Sequence, residues 1–221
     1  MPMPSAELVQ GLADKADILV SFPPDGSTDA ILAPACSSAR CIIYISSTGV
    51  YGRTRGQIDD STPADYSDER MRSRLEAESI WKEHGAIVLR VPGIYGPNSG
   101  LHKRLRQGKF KIPGDGSNLI SRIHVEDLAA IILAIFEEGK LNDSTYLVGD
   151  QAPCSIREVV DWLCQKMELQ LPESIPIEEV NATLRGSRSI DATRLLNELG
   201  LTLRFPDYKS GYEQCLSEES Q

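Results

Sequence analysis

The sequence has little of what marks several common function classes. It carries no excess of positive charge: 23 Lys and Arg stand against 32 Asp and Glu, a formal net charge of −9. A general nucleic-acid binder needs a basic surface to displace counterions, so this balance argues against that class; an acidic balance serves solubility. There is no C-x-x-C pair. Cys36, Cys41, Cys154, Cys164 and Cys215 are scattered and odd in number, which fits reduced thiols in a cytosol better than a disulfide framework. The histidines His84, His102 and His124 lie far apart, without metal-ligand spacing. Residues 1–10 lack the charged start and apolar run of a signal peptide. No apolar stretch approaches the roughly 20 residues that span a bilayer. What remains is the profile of an ordinary globular protein, 41% hydrophobic and 25% charged. We expect a soluble, cytoplasmic chain with one large core, or a main domain with a small appendage.

The most informative stretch is Tyr44-Ile45-Ser46-Ser47-Thr48-Gly49-Val50-Tyr51-Gly52. Residues 41–45 form a short apolar, β-branched run that reads as a buried strand and then stops in hydroxyls and glycines. In open α/β sheets ligands collect beyond the carboxyl ends of strands, so hydroxyls placed there can face one. A Ser/Thr-rich turn without chemistry has the same composition. Residues 16–22 (ADILVSF) form a second such run, closed by Pro23-Pro24-Asp25-Gly26. Its apolar residues do not alternate, which predicts burial on both faces. A weak helix is expected over 28–33 and a Gly/Asp/Thr/Pro loop over 52–66. Ser67-Asp68-Glu69 suits the start of a helix running to about His84, and 86–91 reads as another buried strand. Strand and helix in alternation argue for a parallel sheet with right-handed crossovers. Further on, 125–138 predicts an apolar helix and 145–148 a short strand. Ser155-Ile156-Arg157-Glu158 is a capping box. Asp191 is expected to cap a last clear helix ending at Gly200.

With these pieces in order, the chain resembles the extended short-chain dehydrogenase/reductases, the NAD-dependent epimerase/dehydratase group, over about residues 16–216. Three segments carry the resemblance. Ser46-Ser47-Thr48-Gly49-Val50-Tyr51-Gly52 is similar to the family's active-site strand end. Arg90-Val91-Pro92-Gly93-Ile94-Tyr95-Gly96-Pro97 is similar to its nicotinamide-side loop, and Arg122-Ile123-His124-Val125-Glu126-Asp127-Leu128-Ala129 to its substrate-domain signature. The resemblance implies a doubly wound Rossmann-type sheet over residues 1–100. It implies a mainly substrate-binding α/β region over 101–221, with the chain crossing back to the sheet. It implies NAD or NADP as cofactor and a nucleotide sugar or related hydroxyl or carbonyl compound as substrate. By position, Ser47 matches the hydroxyl that bonds the reacting oxygen and Thr48 its neighbour. Phe22, Pro23, Ser46, Pro92, Gly93, Ile94 and Tyr95 fall on the cofactor side; Tyr51, Arg122 and His124 fall on the substrate side. For Pro97 turn chemistry is the stronger reading.

Two departures matter. The family's acid/base pair is a Tyr and a Lys one helical turn apart, the Lys bringing the Tyr down from about 10. Those positions hold Arg70 and Arg74 here, and guanidinium stays protonated at any working pH. Such a pair can bind an anion or stabilise developing charge; equally, Arg74 can pair with Glu78 on a solvated face. The second departure is the missing G-x-x-G-x-x-G turn that brings backbone amides to the cofactor pyrophosphate. Residues 17–21 match the family's fourth strand, so the first three strands are expected to be absent. That leaves an apolar edge inviting a second copy or a partner chain. A smaller mismatch concerns the family's phosphate-binding arginine, four residues before the signature histidine: that place is Ile120, and Arg122 is only two before His124. His124 itself reads more readily as a packed strand-end residue than as a base. The chain is expected to be an atypical, N-terminally incomplete member of this group; if it is an enzyme, the resemblance implies NAD(P)-linked redox or epimerase chemistry, and the rival is a non-catalytic binding or interaction protein of the same fold.

Overall fold

The computed structural model describes residues 4–67, 69–180 and 185–219. Four parallel strands form the main sheet in the order β1 (Asp17–Val20), β2 (Cys41–Ser47), β4 (Ile87–Val91), β9 (Thr145–Leu147). Alternation decides what covers each face. Ile42 and Tyr44 of β2, with Val88 of β4, face one cluster with Leu32, Ala77 and Trp81, contributed by α2 (Thr28–Ala35) and α3 (Glu69–Glu83). Ile43, Ile45, Leu89 and Val91 face the opposite cluster, with Leu128, Ile131, Ile135, Leu195 and Leu196, from α5 (Val125–Glu138) and α7 (Thr193–Glu198). Helix α1 (Ala6–Ala13) contacts α2.

Short two-stranded pairings build the rest. They are β3 (Gly56–Ile58) with β12 (Arg188–Ile190), β5 (Gly93–Tyr95) with β8 (Arg122–His124), β6 (Ile112–Pro113) with β11 (Ser174–Ile175), and β7 (Leu119–Ile120) with β10 (Cys154–Ser155). Helices α4 (Leu101–Arg106), α6 (Ile156–Met167) and α8 (Tyr208–Glu218) enclose a separate core around Phe110, Ile112, Val160 and Tyr212. The Ser155–Glu158 capping box forms at the start of α6, both side chains bonding the opposite backbone amide.

Several expectations need correction. β1 is buried on one face only: Ile18 and Val20 pack inward, whereas Leu19 is 45% exposed. Its partner across the ladder is Ile43, which packs in the cluster with residues of α5 and α7 to which Leu19 does not belong, so the same face is covered at β2 and open at β1. Asp191 bonds the Thr193 amide, yet the N-cap of α7 is Ala192 and α7 is not the last helix. Helix α8 follows, capped by Asp207; Gly211, a poor helix former inside it, weakens the sequence signal. Asp68, read as part of the α3 start, lies outside the described residues. Among the described residues, no helix is long and apolar enough to cross a membrane.

Candidate functional site

Beyond the carboxyl ends of β2 and β4 lies a cleft of about 600 Å³, within the usual size of small-molecule sites. Ser47 and Thr48 form one side, where β2 turns into a 3-10 turn over Thr48–Tyr51 and Ser47 Oγ accepts from the Gly49 amide at 3.1 Å. Pro92, Gly93, Ile94 and Tyr95 form a second side. Gly93 has nothing within 4 Å of where a Cβ would stand, and Ile94 is exposed. Arg122 from β8 and Arg188 from β12 stand on the third, on neighbouring segments tied by the Ile190 amide to Ser121 Oγ at 2.8 Å. Lys103 and Arg104 of α4 complete the rim.

Charge sets the character of this cleft. Four of its lining residues are cationic, and among the described lining residues none is an Asp, Glu, His or Cys, in a chain whose net charge is −9. Lys103 is paired with Glu219 outside the cleft. Arg104 lies over the Phe110 ring. Arg188 donates to the Gly52 carbonyl and has no carboxylate partner among the described residues; burial lowers its pKa. Arg122, 4% exposed, has a weak contact from Nη1 to Cys154 Sγ at 3.3 Å, while Asp150 Oδ2 is 3.9 Å away. Crowded cations with so few counter-ions favour an anionic ligand. The tyrosines in the cleft are poor proton donors at neutral pH, because burial pushes Tyr212 up to about 12 and raises Tyr95 as well.

The other residues singled out from the sequence lie elsewhere. Ser46 points to the α3 face of the sheet and donates to Glu78 Oε1 at 2.5 Å. Tyr51 is buried and its hydroxyl accepts from Arg90 Nη1 at 2.9 Å. Arg90 also holds Glu78 through both Nε and Nη2, with Nη2 to Oε2 at 2.7 Å. Glu78 is thus taken by Arg90 and Ser46, in place of the Arg74–Glu78 pair considered above, and Arg74 acts on the Tyr44 phenol, lowering a pKa that burial raises to about 12. The Arg70 side chain lies outside the described residues. Phe22 packs edge-on to Trp81, and Pro23 is exposed on the loop beyond β1. His124 is fully buried as the N-cap of α5, its Nδ1 accepting from the Glu126 amide at 3.3 Å, and burial lowers its pKa.

Sequence reasoning missed Lys103, Arg104, Arg188 and Asp150. The first two follow the Arg90–Pro97 loop closely enough to have been suspected. Arg188 reaches the cleft only because β12 pairs with β3, more than a hundred residues earlier in the chain. Asp150, 1% exposed, follows β9 and has no well-formed hydrogen bond to either carboxylate oxygen. Burial raises its pKa from 3.8 to about 6, against the opposing pull of Arg122 and the Ala152 amide. A carboxyl raised on folding favours the fold below its unfolded pKa and loses that contribution as pH rises through the folded value. Asp150→Asn is therefore expected to stabilise the protein at pH 7.5 by about 3 kcal/mol, read as a raised melting temperature, and to change the melting temperature little near pH 4. Equal shifts at both pH values would contradict this account.

Comparison with known proteins follows the same lines. The sequence model of the NAD dependent epimerase/dehydratase family matches residues 27–149. Protein YeeZ of Escherichia coli K12 is 27% identical over 174 residues, covering 75% of this chain and 59% of its own length, so the chain spans about three fifths of that curated relative. A functionally unknown conserved protein from Silicibacter pomeroyi DSS superposes with a TM-score of 0.81 at 27% identity, covering 92% of this chain and 78% of that one. MoeE5, solved in complex with UDP-glucose and NAD, superposes at 0.80 with 16% identity, over 99% of this chain and 85% of its own; at that identity the likeness concerns the fold.

Proposed function

Since the chain belongs to the NAD dependent epimerase/dehydratase family, we propose that its cleft takes an anionic hydroxyl or carbonyl compound of the nucleotide-sugar kind and that it acts on this ligand with NAD or NADP. The observation that carries this reading is the juxtaposition of strand-end hydroxyls, Ser47 and Thr48, with four cations and no described acid. In this reading Ser47 donates to the reacting oxygen and so stabilises charge developing there. Arg122, Arg188, Lys103 and Arg104 hold the anionic part of the substrate away from the reacting end. The open wall at Pro92, Gly93 and Ile94 fits the flat face of a nicotinamide ring, which supplies hydride chemistry when bound. The half of the cofactor that the family holds on its glycine-rich turn has no such turn to rest on in these residues.

The sheet has no described strand outside β1, and Leu19 is exposed there, which supports the view that the family's first three strands have no counterpart in this sequence. Such an edge favours a second copy or a partner chain beside β1. The five free cysteines suit a reducing cytoplasm.

A second reading is a ligand-binding protein without turnover. It is favoured by the lack, among the described lining residues, of any carboxylate, imidazole or thiol to move a proton. Calorimetric titration with NADH and NADPH, with mass by light scattering, separates the two. Micromolar binding is expected, with a mass above that of one chain. In a subsequent substrate screen Ser47→Ala should lower turnover by about 10²-fold, the cost of removing one preorganised donor, while leaving cofactor affinity intact. Absence of binding up to millimolar cofactor would sink the redox reading and leave the binding role.

A further inference from the structure

We propose that Arg122 is an oxyanion-binding residue of the cleft and that Asp150 is its resident counter-ion, from which a phosphate-type ligand draws the guanidinium away. The inference rests on the reading of the cleft as the ligand site. A guanidinium offers five N–H donors in a rigid fork. In Arg122 the buried Nη2 has no partner, Nη1 meets only a thiol at 3.3 Å, and the nearest carboxylate oxygen is 3.9 Å away. The side chain is held from behind by the Tyr208 ring, 5.4 Å from the guanidinium carbon. It is a nearly buried cation with unused donors on the wall of a cavity that contains three more cations and no described acid.

Asp150 is the other half of the device. Its backbone amide bonds the Arg122 carbonyl at 2.7 Å, so the two residues are fixed side by side while their charged ends barely meet. The groups that act on it are Arg122 from β8, Asp127 from α5, Asp207 at the start of α8, Cys154 from β10, and the phenols of Tyr95 and Tyr212. Arg122 is the single cation in that set. When it turns to a ligand, Asp150 is left buried among acids and phenols, and an uncompensated buried carboxylate is neutralised by a proton. Oxyanion binding should therefore take up a proton, and affinity should fall as pH rises above about 6, by at most tenfold per unit for one linked proton.

Sulfate is a suitable probe because it does not titrate in this range, so any pH dependence belongs to the protein. The full chain, titrated with sodium sulfate at constant ionic strength between pH 5.5 and 8 and followed by NMR, should show shifts at the amides of Ser121, Arg122 and Arg188 and affinity that weakens with pH. Asp150→Asn should flatten the pH dependence and bind roughly tenfold more tightly at pH 7.5. Arg122→Met should lose at least tenfold at every pH, with Arg122→Lys, which keeps the charge, in between. Equal sulfate affinity in Arg122→Met and the natural chain overturns the proposal, as does a pH-independent affinity in the natural chain; the latter needs no variant to fold. Competition by UDP, by NADH or by inorganic phosphate then names the source of the oxyanion. Failure to bind NADH would sink the redox reading while leaving the sulfate result standing.

Discussion

Replacing Glu78 by Ala should destabilise the protein by about 3–5 kcal/mol, the cost of leaving a buried charge without its partner. Glu78 is 1% exposed and sits where β2, β4 and α3 meet, accepting from Ser46 and from two nitrogens of Arg90. Burial by itself would lower the pKa of Arg90; the hydrogen bonds and charge of Glu78 outweigh it and raise that pKa. Without Glu78 the guanidinium keeps the Tyr51 hydroxyl and little else. For a chain of this length, a loss of that size lowers the melting temperature by roughly 10 °C. The double variant Glu78→Leu, Arg90→Met should recover much of it, because an ion pair replaced whole by apolar groups costs far less than a pair cut in half. Thermal melts of the three proteins decide the matter: a single variant within about 1 kcal/mol of the natural chain would show that water, rather than Glu78, carries the charge. The network has a functional side as well. It anchors the 3-10 turn at Tyr51 and fixes the segment just before Pro92, so Ser47 and the open wall of the cleft are held from the same point.

Gly211→Ala should cost roughly 3 kcal/mol or more and should perturb the cleft. A Cβ at this position would stand 2.0 Å from Tyr95 Oη and 2.7 Å from Cζ, so either α8 or the tyrosine has to move. Overpacking of this kind costs typically 1–3 kcal/mol, and more where no neighbour can give. Tyr95 has little room: it packs on Tyr212 with ring centroids 4.5 Å apart and meets His124 edge-on at 5.1 Å. Tyr95 and Tyr212 both line the cleft. Gly211→Ala is therefore expected to weaken ligand binding along with stability. Tyr95→Ala relieves the clash but opens a cavity of its own, so the double variant should be destabilised by less than the sum of the two single variants. An unchanged melt for Gly211→Ala alone would mean that α8 docks less closely than the structure has it.

Much of the sheet was legible in the residues themselves. Short apolar runs such as 41–45 and 86–89, closed by turn residues soon after, read as buried strands, and the capping box at Ser155 fixes a helix start by chemistry confined to four residues. These signals are local, and local propensity and periodicity suffice to read them. The strand-end rule pointed to the hydroxyls of Ser47 and Thr48 and the family resemblance to residues 92–95; the structure brings the two segments to one cleft. Where the reading failed, the deciding contact was remote in sequence. β1 looks like a strand buried on both faces, yet Leu19 is open, outside the cluster that covers its ladder partner Ile43. Arg74 has Glu78 one turn away, yet Arg90 on the neighbouring strand outcompetes it with a bidentate grip. Helix α8 is hidden by Gly211, whose purpose appears only when Tyr95 arrives from more than a hundred residues earlier.

The sequence alone determined the alternating α/β order, the parallel sheet and the family, because these depend on periodicity, turn chemistry and short motifs. Tertiary structure alone decided the charge of the cleft. Lys103 and Arg104 of α4, Arg122 of β8 and Arg188 of β12 come from three separate segments. Only the strand pairings of β5 with β8 and β3 with β12 bring Arg122 and Arg188 to one wall, with Lys103 and Arg104 of α4 on the rim, and only burial beside β9 leaves the Asp150 carboxylate without a well-formed hydrogen bond behind them. Electrostatic character is a property of distance in space, and spacing along the chain does not encode it.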